Sequence, residues 1–309
     1  MVMRASDFPE LQDTPLRKIY FLALRNTPAE YQRIANMVET RRAFEDDLRM
    51  AEFGTIPQHV EGDVPLFEDA VEAETRRYSP LEFVLGYVMT QTFREDELHG
   101  IAMRMTEALR KSVRHSFETQ FYEILNNATS TAAARYKGFD ALSLLSTAHT
   151  SAASGFATQS NTLSTAATLS QSAIETAVQA FYGWTGEKGL PSLHVPKMAV
   201  IHYNDQFKAA RLFKNAERHD TANREDNWIR KGPDDNGVSM YIPSRYFTAT
   251  NQWFLVSGKG EHSLNFFVRK QPSFETHVDF ATGNFQAKTR WRGVSGFSDW
   301  RGVYGSKGY

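Results

Sequence analysis

The chain has 309 residues, 41% hydrophobic and 23% charged, a balance that gives a folded protein enough apolar surface for a large core. Its 35 Lys+Arg against 36 Asp+Glu leave a net charge of −1, without the basic excess of a sequence-specific nucleic-acid binder. The absence of cysteine excludes disulfides, thiolate nucleophiles, iron–sulfur clusters and cysteine-held zinc, and no apolar run approaches the roughly 20 residues of a membrane helix. Asp7, Glu10 and Asp13 stand where a signal peptide needs an apolar stretch, so neither secretion by that route nor a membrane location is expected.

Two short amphipathic helices are expected first. Thr14-Pro15 reads as N-cap and first helical residue, followed by Leu16, Ile19, Tyr20 and Leu24 at helical spacing. Thr27 and Glu30 form a capping box ahead of Tyr31, Ile34 and Val38. Phe44, Leu48 and Phe53 then lead into Gly54-Thr55-Ile56-Pro57 and the acidic turn Glu61-Gly62-Asp63-Val64-Pro65. Tyr78 to Phe93 is rich in β formers. The two extended arms predict a long hairpin, too thin in apolar positions to be stable unless it lies on something.

The strongest single pattern spans Glu95 to Leu125. Leu98, Ile101, Ala102, Met105, Leu109, Val113, Phe117, Phe121 and Leu125 recur at spacings of three and four. They predict one helix of roughly 45 Å whose apolar face is core, not a strict coiled-coil heptad. Ser/Thr/Ala-rich stretches at 126–134 and 147–167 read as surface loops. Ser172 and Glu175 box the start of a helix that ends near Gly183, and His194–Tyr203 reads as a buried strand. A short helix is expected over Gln206–Phe213, a polar loop over His219–Gly232, and then strands at 238–247, 253–256, 264–268, 274–280 and 285–294.

Catalytic and cofactor signatures are missing. The nine histidines form no H-x-x-x-H or H-x-H pair, and there is no G-x-S-x-G, G-x-x-x-x-G-K-[ST] or G-x-G-x-x-G. Asp46-Asp47 and Asp234-Asp235 are sequence neighbours, which point apart and do not make an acid–base pair. No enzyme, metal site or cofactor is expected. Two features ask for another account. The chain holds 22 Phe, 12 Tyr and 5 Trp, the residue types that protein interfaces enrich. Terminal helices, a long hairpin and a helix of roughly 45 Å do not close into one sphere. Elements that extend from a domain find partners on other copies, so the reading is an assembly subunit.

Several local sequences carry a resemblance. They are Leu144-Leu-Ser-Thr-Ala-His-Thr150 with Thr158-Gln-Ser-Asn161, Thr221-Ala-Asn223 leading to Asn227, and the ending Phe297-Ser-Asp-Trp-Arg-Gly-Val-Tyr-Gly-Ser306. In these and in its order of elements, the chain resembles the tailed-bacteriophage major capsid proteins of the Hong-Kong-97 fold. The resemblance covers essentially the whole chain and implies an α+β fold. An N-terminal arm would occupy 1–40, an E-loop hairpin 41–93, and a peripheral (P) domain 94–137 and 263–309. The spine helix belongs to the P domain, and an axial (A) domain would take 138–262.

The implied function is architectural. Copies would form hexamers and pentamers closing an icosahedral shell around double-stranded DNA, held only by weak non-specific contact. A separate scaffolding protein, a portal and a decoration protein are the other implied partners. The protein would reside in the virion and, during assembly, in the host cytoplasm.

The spine-helix core face is expected at Leu98, Ile101, Met105, Leu109, Val113, Phe117 and Phe121. Arm and E-loop contacts to other subunits are expected at Leu16, Tyr20, Phe53, Ile56, Val64 and Phe67. Phe297, Asp299, Trp300 and Arg301 form the C-terminal P-domain motif. Residues 41–93 contain no lysine, so the lysine–asparagine crosslink of some relatives is not expected. The chain begins almost at the arm, so any scaffold is expected to be a separate protein. The rival readings are an encapsulin shell, disfavoured by the long 1–93 region, a hydrolase using His149 or His202, and an adhesin.

Overall fold

The computed structural model describes residues 16–18, 20, 29–50, 53–60, 62, 64–67, 72–96, 100–151, 157–217, 226–231, 237–238 and 240–308. In chain order its elements are α1 (Glu30–Ile34), β1 (Asn36–Glu39), β2 (Glu45–Met50), β3 (Glu72–Tyr78), β4 (Leu81–Met89), α2 (Gln91–Glu95) and α3 (Ile101–Asn126). They continue with α4 (Gln171–Gly183), β5 (Pro196–His202), α5 (Gln206–Lys214), α6 (Trp228–Lys231), β6 (Met240–Ser244), β7 (Trp253–Ser257), β8 (Leu264–Val278), β9 (Phe285–Phe297) and β10 (Val303–Ser306).

The strands make two four-stranded sheets and one separate pair. The first sheet runs β1-β8-β9-β4 and is built around the long β8–β9 hairpin. Alternate residues of β9 face α3: Trp291 stacks on Phe117 at 4.1 Å and donates its indole N–H to Ser116 Oγ at 3.0 Å. Phe83 of β4 closes the other side of Trp291 at 4.3 Å.

The second sheet runs β10-β7-β5-β6 and is buried on both faces. Met198, Val200, Phe254 and Val256 join the core beneath the C-terminal half of α3. Ala199, Ile201, Trp253 and Leu255, one residue out of phase, join Ile174, Phe181 and Leu212 of α4 and α5. This period-two division explains why β5 and β7 read as continuous apolar runs rather than alternating ones.

Several expectations are corrected. The long helix has 26 residues, roughly 39 Å, and begins after Gly100, whose φ of 65° breaks the chain direction between α2 and α3. Met105 is 41% exposed and lies off the buried face. Thr106 takes the inward place because its hydroxyl meets the Tyr87 hydroxyl at 2.8 Å, which shifts the buried row by one position. Ile101 is half-buried, and Leu109, Val113, Phe117 and Phe121 are buried. Leu98 lies outside the described residues, as do Thr27 of the capping box and most of 1–28.

Val38 is not helical but belongs to β1, parallel to β8. Residues 81–89 do not form an arm of the hairpin. They pair with β9 over their whole length, so the hairpin proper is β2 against β3. The last strand does not return to the first sheet: β10 pairs with β7 in the second. The 147–167 stretch is not wholly surface, since His149 and Asn161 are buried.

Candidate assembly interface

The β2–β3 pair is anchored to its own subunit by buried or half-buried side chains. Arg49 of β2 donates to Glu187, a buried carboxylate that also accepts from Arg301 Nη1 at 2.9 Å and from Ser151 Oγ at 3.0 Å. Arg76 of β3 donates to the carbonyls of Lys137 and Ala134, both at 2.7 Å. Tyr78 packs on Phe267 and Val294, and its hydroxyl meets Ser298 Oγ at 2.6 Å, while Ser298 donates to Asp47. Across the pair, Arg77 forks onto Asp46 with two bonds of 2.7 Å and lowers that carboxyl's pKa.

Beyond this base the apolar side chains have no cover. Ile56 is 92% exposed, Phe67 84% and Val64 83%, and Phe53 is also exposed. Isolated surface leucines are ordinary, but a run of large apolar side chains on a protruding loop marks an interaction surface.

The arm behaves differently. Leu16 and Tyr20 are buried within the subunit, against Met89, Leu109, Phe274 and Phe285, and Tyr20 shares a hydrogen bond of 2.7 Å with Thr289. Their assignment to contacts with other subunits is therefore corrected. A tyrosine of this size fits the groove between α3 and the β8–β9 hairpin because Thr289 supplies its hydroxyl with a partner. Further along, α1 is capped by Glu118 of α3, which accepts the Glu30 N–H at 2.8 Å and the Tyr31 N–H at 3.0 Å. Arg114 holds the same carboxylate at 3.1 Å, and burial pushes its pKa up. The expected capping box is thus replaced by a residue of another helix.

The sequences that carried the resemblance meet in one buried knot. His149 Nδ1 lies 2.5 Å from Asp140 Oδ2, and its Nε2 lies 3.1 Å from Asn161 Oδ1. The Asn161 amide donates to the carbonyls of Leu144 at 2.6 Å and Val303 at 3.1 Å, which fixes its orientation. The His149 ring stacks on Trp300 at 4.4 Å. Phe297 sits in the core beneath α3, and Arg301 reaches Asp299 and Glu187. The Phe297–Arg301 segment is the crossover from β9 in one sheet to β10 in the other, and this knot bolts it down.

Both ring nitrogens of His149 face acceptor oxygens, so no lone pair is left to take a proton from a nucleophile. His202 Nδ1 accepts the Asn204 N–H at 3.1 Å and caps a turn, and burial lowers its pKa. Among the described residues no cluster could hold a metal ion, and no helix is long and apolar enough to cross a membrane. Asn227 serves the loop, donating to the carbonyls of Leu212 at 2.6 Å and Asn215 at 3.0 Å; Thr221 and Asn223 lie outside the described residues. Arg49, Glu118, Asp140 and Glu187 were not singled out from the sequence, because nothing local distinguishes a buried charge from a solvated one.

A long helix across a β hairpin, a second sheet covered by helices and an anchored two-stranded excursion define the Hong-Kong-97-type capsid fold. The chain is similar to the mature capsid of bacteriophage PhiM1 at 12% identity and a TM-score of 0.59, covering 90% of this chain and 86% of that one. It is similar to the procapsid of bacteriophage JBD30 at 13% identity and a TM-score of 0.52, covering 98% and 76%. It also resembles a virus-like particle from Pyrococcus furiosus at 9% identity and a TM-score of 0.54, covering 95% and 98%. The curated proteins contain no match to the sequence. Residues 73–306 match the phage capsid protein family, so the chain belongs to that family. It is a structural major capsid protein of the virion and not an enzyme.

Proposed function

We propose that copies of this chain assemble as hexamers and pentamers into an icosahedral shell around double-stranded DNA. The arm (1–40), the β2–β3 hairpin and its tip serve as the E-loop and connecting elements. The first sheet with α3 is the peripheral domain, and the second sheet with its helices is the axial domain. Assembly takes place in the host cytoplasm, with a separate scaffolding protein, a portal and a decoration protein as partners. The near-zero net charge suits a shell that contains DNA without gripping it.

The observation that carries this reading is the contrast within the hairpin. Its base is held by buried ion pairs and hydrogen bonds, yet Phe53, Ile56, Val64 and Phe67 at its tip are exposed. An element fixed at one end with an apolar end in water is built for a neighbour. Replacing these four residues by serine tests it. The expected result is a subunit that melts as the parent does but forms no shells. Shells at parental yield would overturn the assignment.

A further inference from the structure

The sheet formed by β4, β9 and β8 turns one face to α3 and the other away from it. Register decides which residues share the outward face. Glu82 stands opposite Arg292, Val84 opposite Arg290, Gly86 opposite Lys288 and Val88 opposite Gln286. On the other flank of β9, Lys270 stands opposite Arg292 and Glu275 opposite Lys288. Directly opposed residues of an antiparallel ladder project to the same side. Thr289 and Trp291, between the cations of β9, are buried on the α3 side. Lys288, Arg290 and Arg292 therefore make a row pointing outward.

Two carboxylates sit within this row. Arg290 Nε lies 2.6 Å from Glu82 and Arg292 Nε 3.8 Å from it. Lys288 Nζ lies 3.1 Å from Glu275 and Lys270 Nζ 3.9 Å from it. Four cations against two carboxylates leave a formal +2 on one half-exposed sheet face. Exposed Val84 and Val88 rise from the same face, and Gly86 between them opens a notch of about 460 Å³.

The chain carries a complement to this surface. Residues 61–74 contain six carboxylates (Glu61, Asp63, Glu68, Asp69, Glu72 and Glu74) and no lysine or arginine. Val64, Leu66 and Phe67 of the same segment are exposed. We infer that the outward face of β4–β9–β8 receives the 61–74 segment of a second copy. Its carboxylates lie along Lys288, Arg290 and Arg292, and Leu66 or Phe67 enters the notch at Gly86. The inference rests on the shell reading above and names the receiving surface. The alternative occupant, a DNA backbone, suits this face less well. Its cations are already half-neutralised by Glu82 and Glu275, and its valines match an apolar partner rather than phosphates.

The chain has no cysteine, which makes a crosslinking test clean. Val88→Cys chains and Phe67→Cys chains are co-assembled and oxidised. The expected product is a disulfide-linked pair containing one chain of each kind, absent when either variant is oxidised alone. In parallel, Lys288→Glu with Arg292→Glu is expected to abolish shells while the subunit keeps its melting temperature. Glu68→Lys with Asp69→Lys in the same chain is expected to restore them. Parental shells without the mixed crosslink, or with Lys288→Glu/Arg292→Glu tolerated, would overturn the inference and leave the shell reading standing. So would a tenfold loss of binding to a double-stranded DNA fragment by that double variant with its assembly intact. A parental protein that forms no shells would overturn both.

Discussion

Glu118 does for α1 what a serine or threonine does at an ordinary helix start, from 88 residues away. Two backbone N–H groups and Arg114 depend on one buried carboxylate. Removing it strands all three in the interior. Glu118→Ala is expected to lower the stability of the unassembled subunit by about 2–3 kcal/mol in urea denaturation. A loss below about 0.5 kcal/mol, the range of surface changes, would contradict the capping role. His262 supplies a second residue-scale test. Burial pushes its imidazole down to about 4, and its Nδ1 accepts the Leu264 N–H at 3.2 Å. The unfolded chain binds a proton near the ordinary value of about 6.5, whereas the fold refuses it until about 4. Stability from this group is therefore complete above pH 6.5 and falls as the pH drops toward 4, by about 3 kcal/mol in all. His262→Gln should flatten that slope between pH 7 and 4.5. An unchanged slope would mean other groups control acid unfolding.

At the scale of elements, the long helix was the most legible part of the chain. A three-and-four apolar spacing held over many turns has few alternatives, and Leu109, Val113, Phe117 and Phe121 are buried. The same pattern misplaced Met105, because the inward position at that turn is decided by the Tyr87 hydroxyl, which the helix sequence cannot show. The two positions now predict opposite outcomes. Phe117→Asp buries an unpaired charge between Tyr31, Phe266 and Trp291 and should abolish the soluble subunit. Met105→Asp should express normally and shift stability by no more than about 0.5 kcal/mol. Expression trials and thermal melts of both variants check this, and equal behaviour would contradict the assigned helix face.

The hairpin was legible as an excursion but not in its pairing. Phe83, Val84, Tyr87 and Val88 read as a strand either way, and only tertiary context puts β4 beside β9 instead of β2. The buried charges were not legible at all. Arg49, Glu187 and Arg301 are distant in sequence, and only the fold joins them. The resemblance located Asn161 and Trp300 without explaining them; the structure gives the reason, a crossover between sheets that His149 and Asp140 lock in place.

At the scale of the whole molecule, one subunit accounts for its own core but leaves specific surfaces unfinished. The second sheet is covered on both faces and Trp253, Phe254 and Leu255 are fully buried, while the hairpin tip and the outward face of β4–β9–β8 are not covered. A single chain with a finished interior and unfinished extensions reaches its stable state in company. This is the account's central claim, and electron microscopy of the purified protein in negative stain, backed by sedimentation velocity, tests it most directly. Closed shells or sheets of hexamers sedimenting as megadalton particles are the predicted result. A homogeneous monomer or dimer, persisting in crowding salts and with a scaffold supplied, would contradict it.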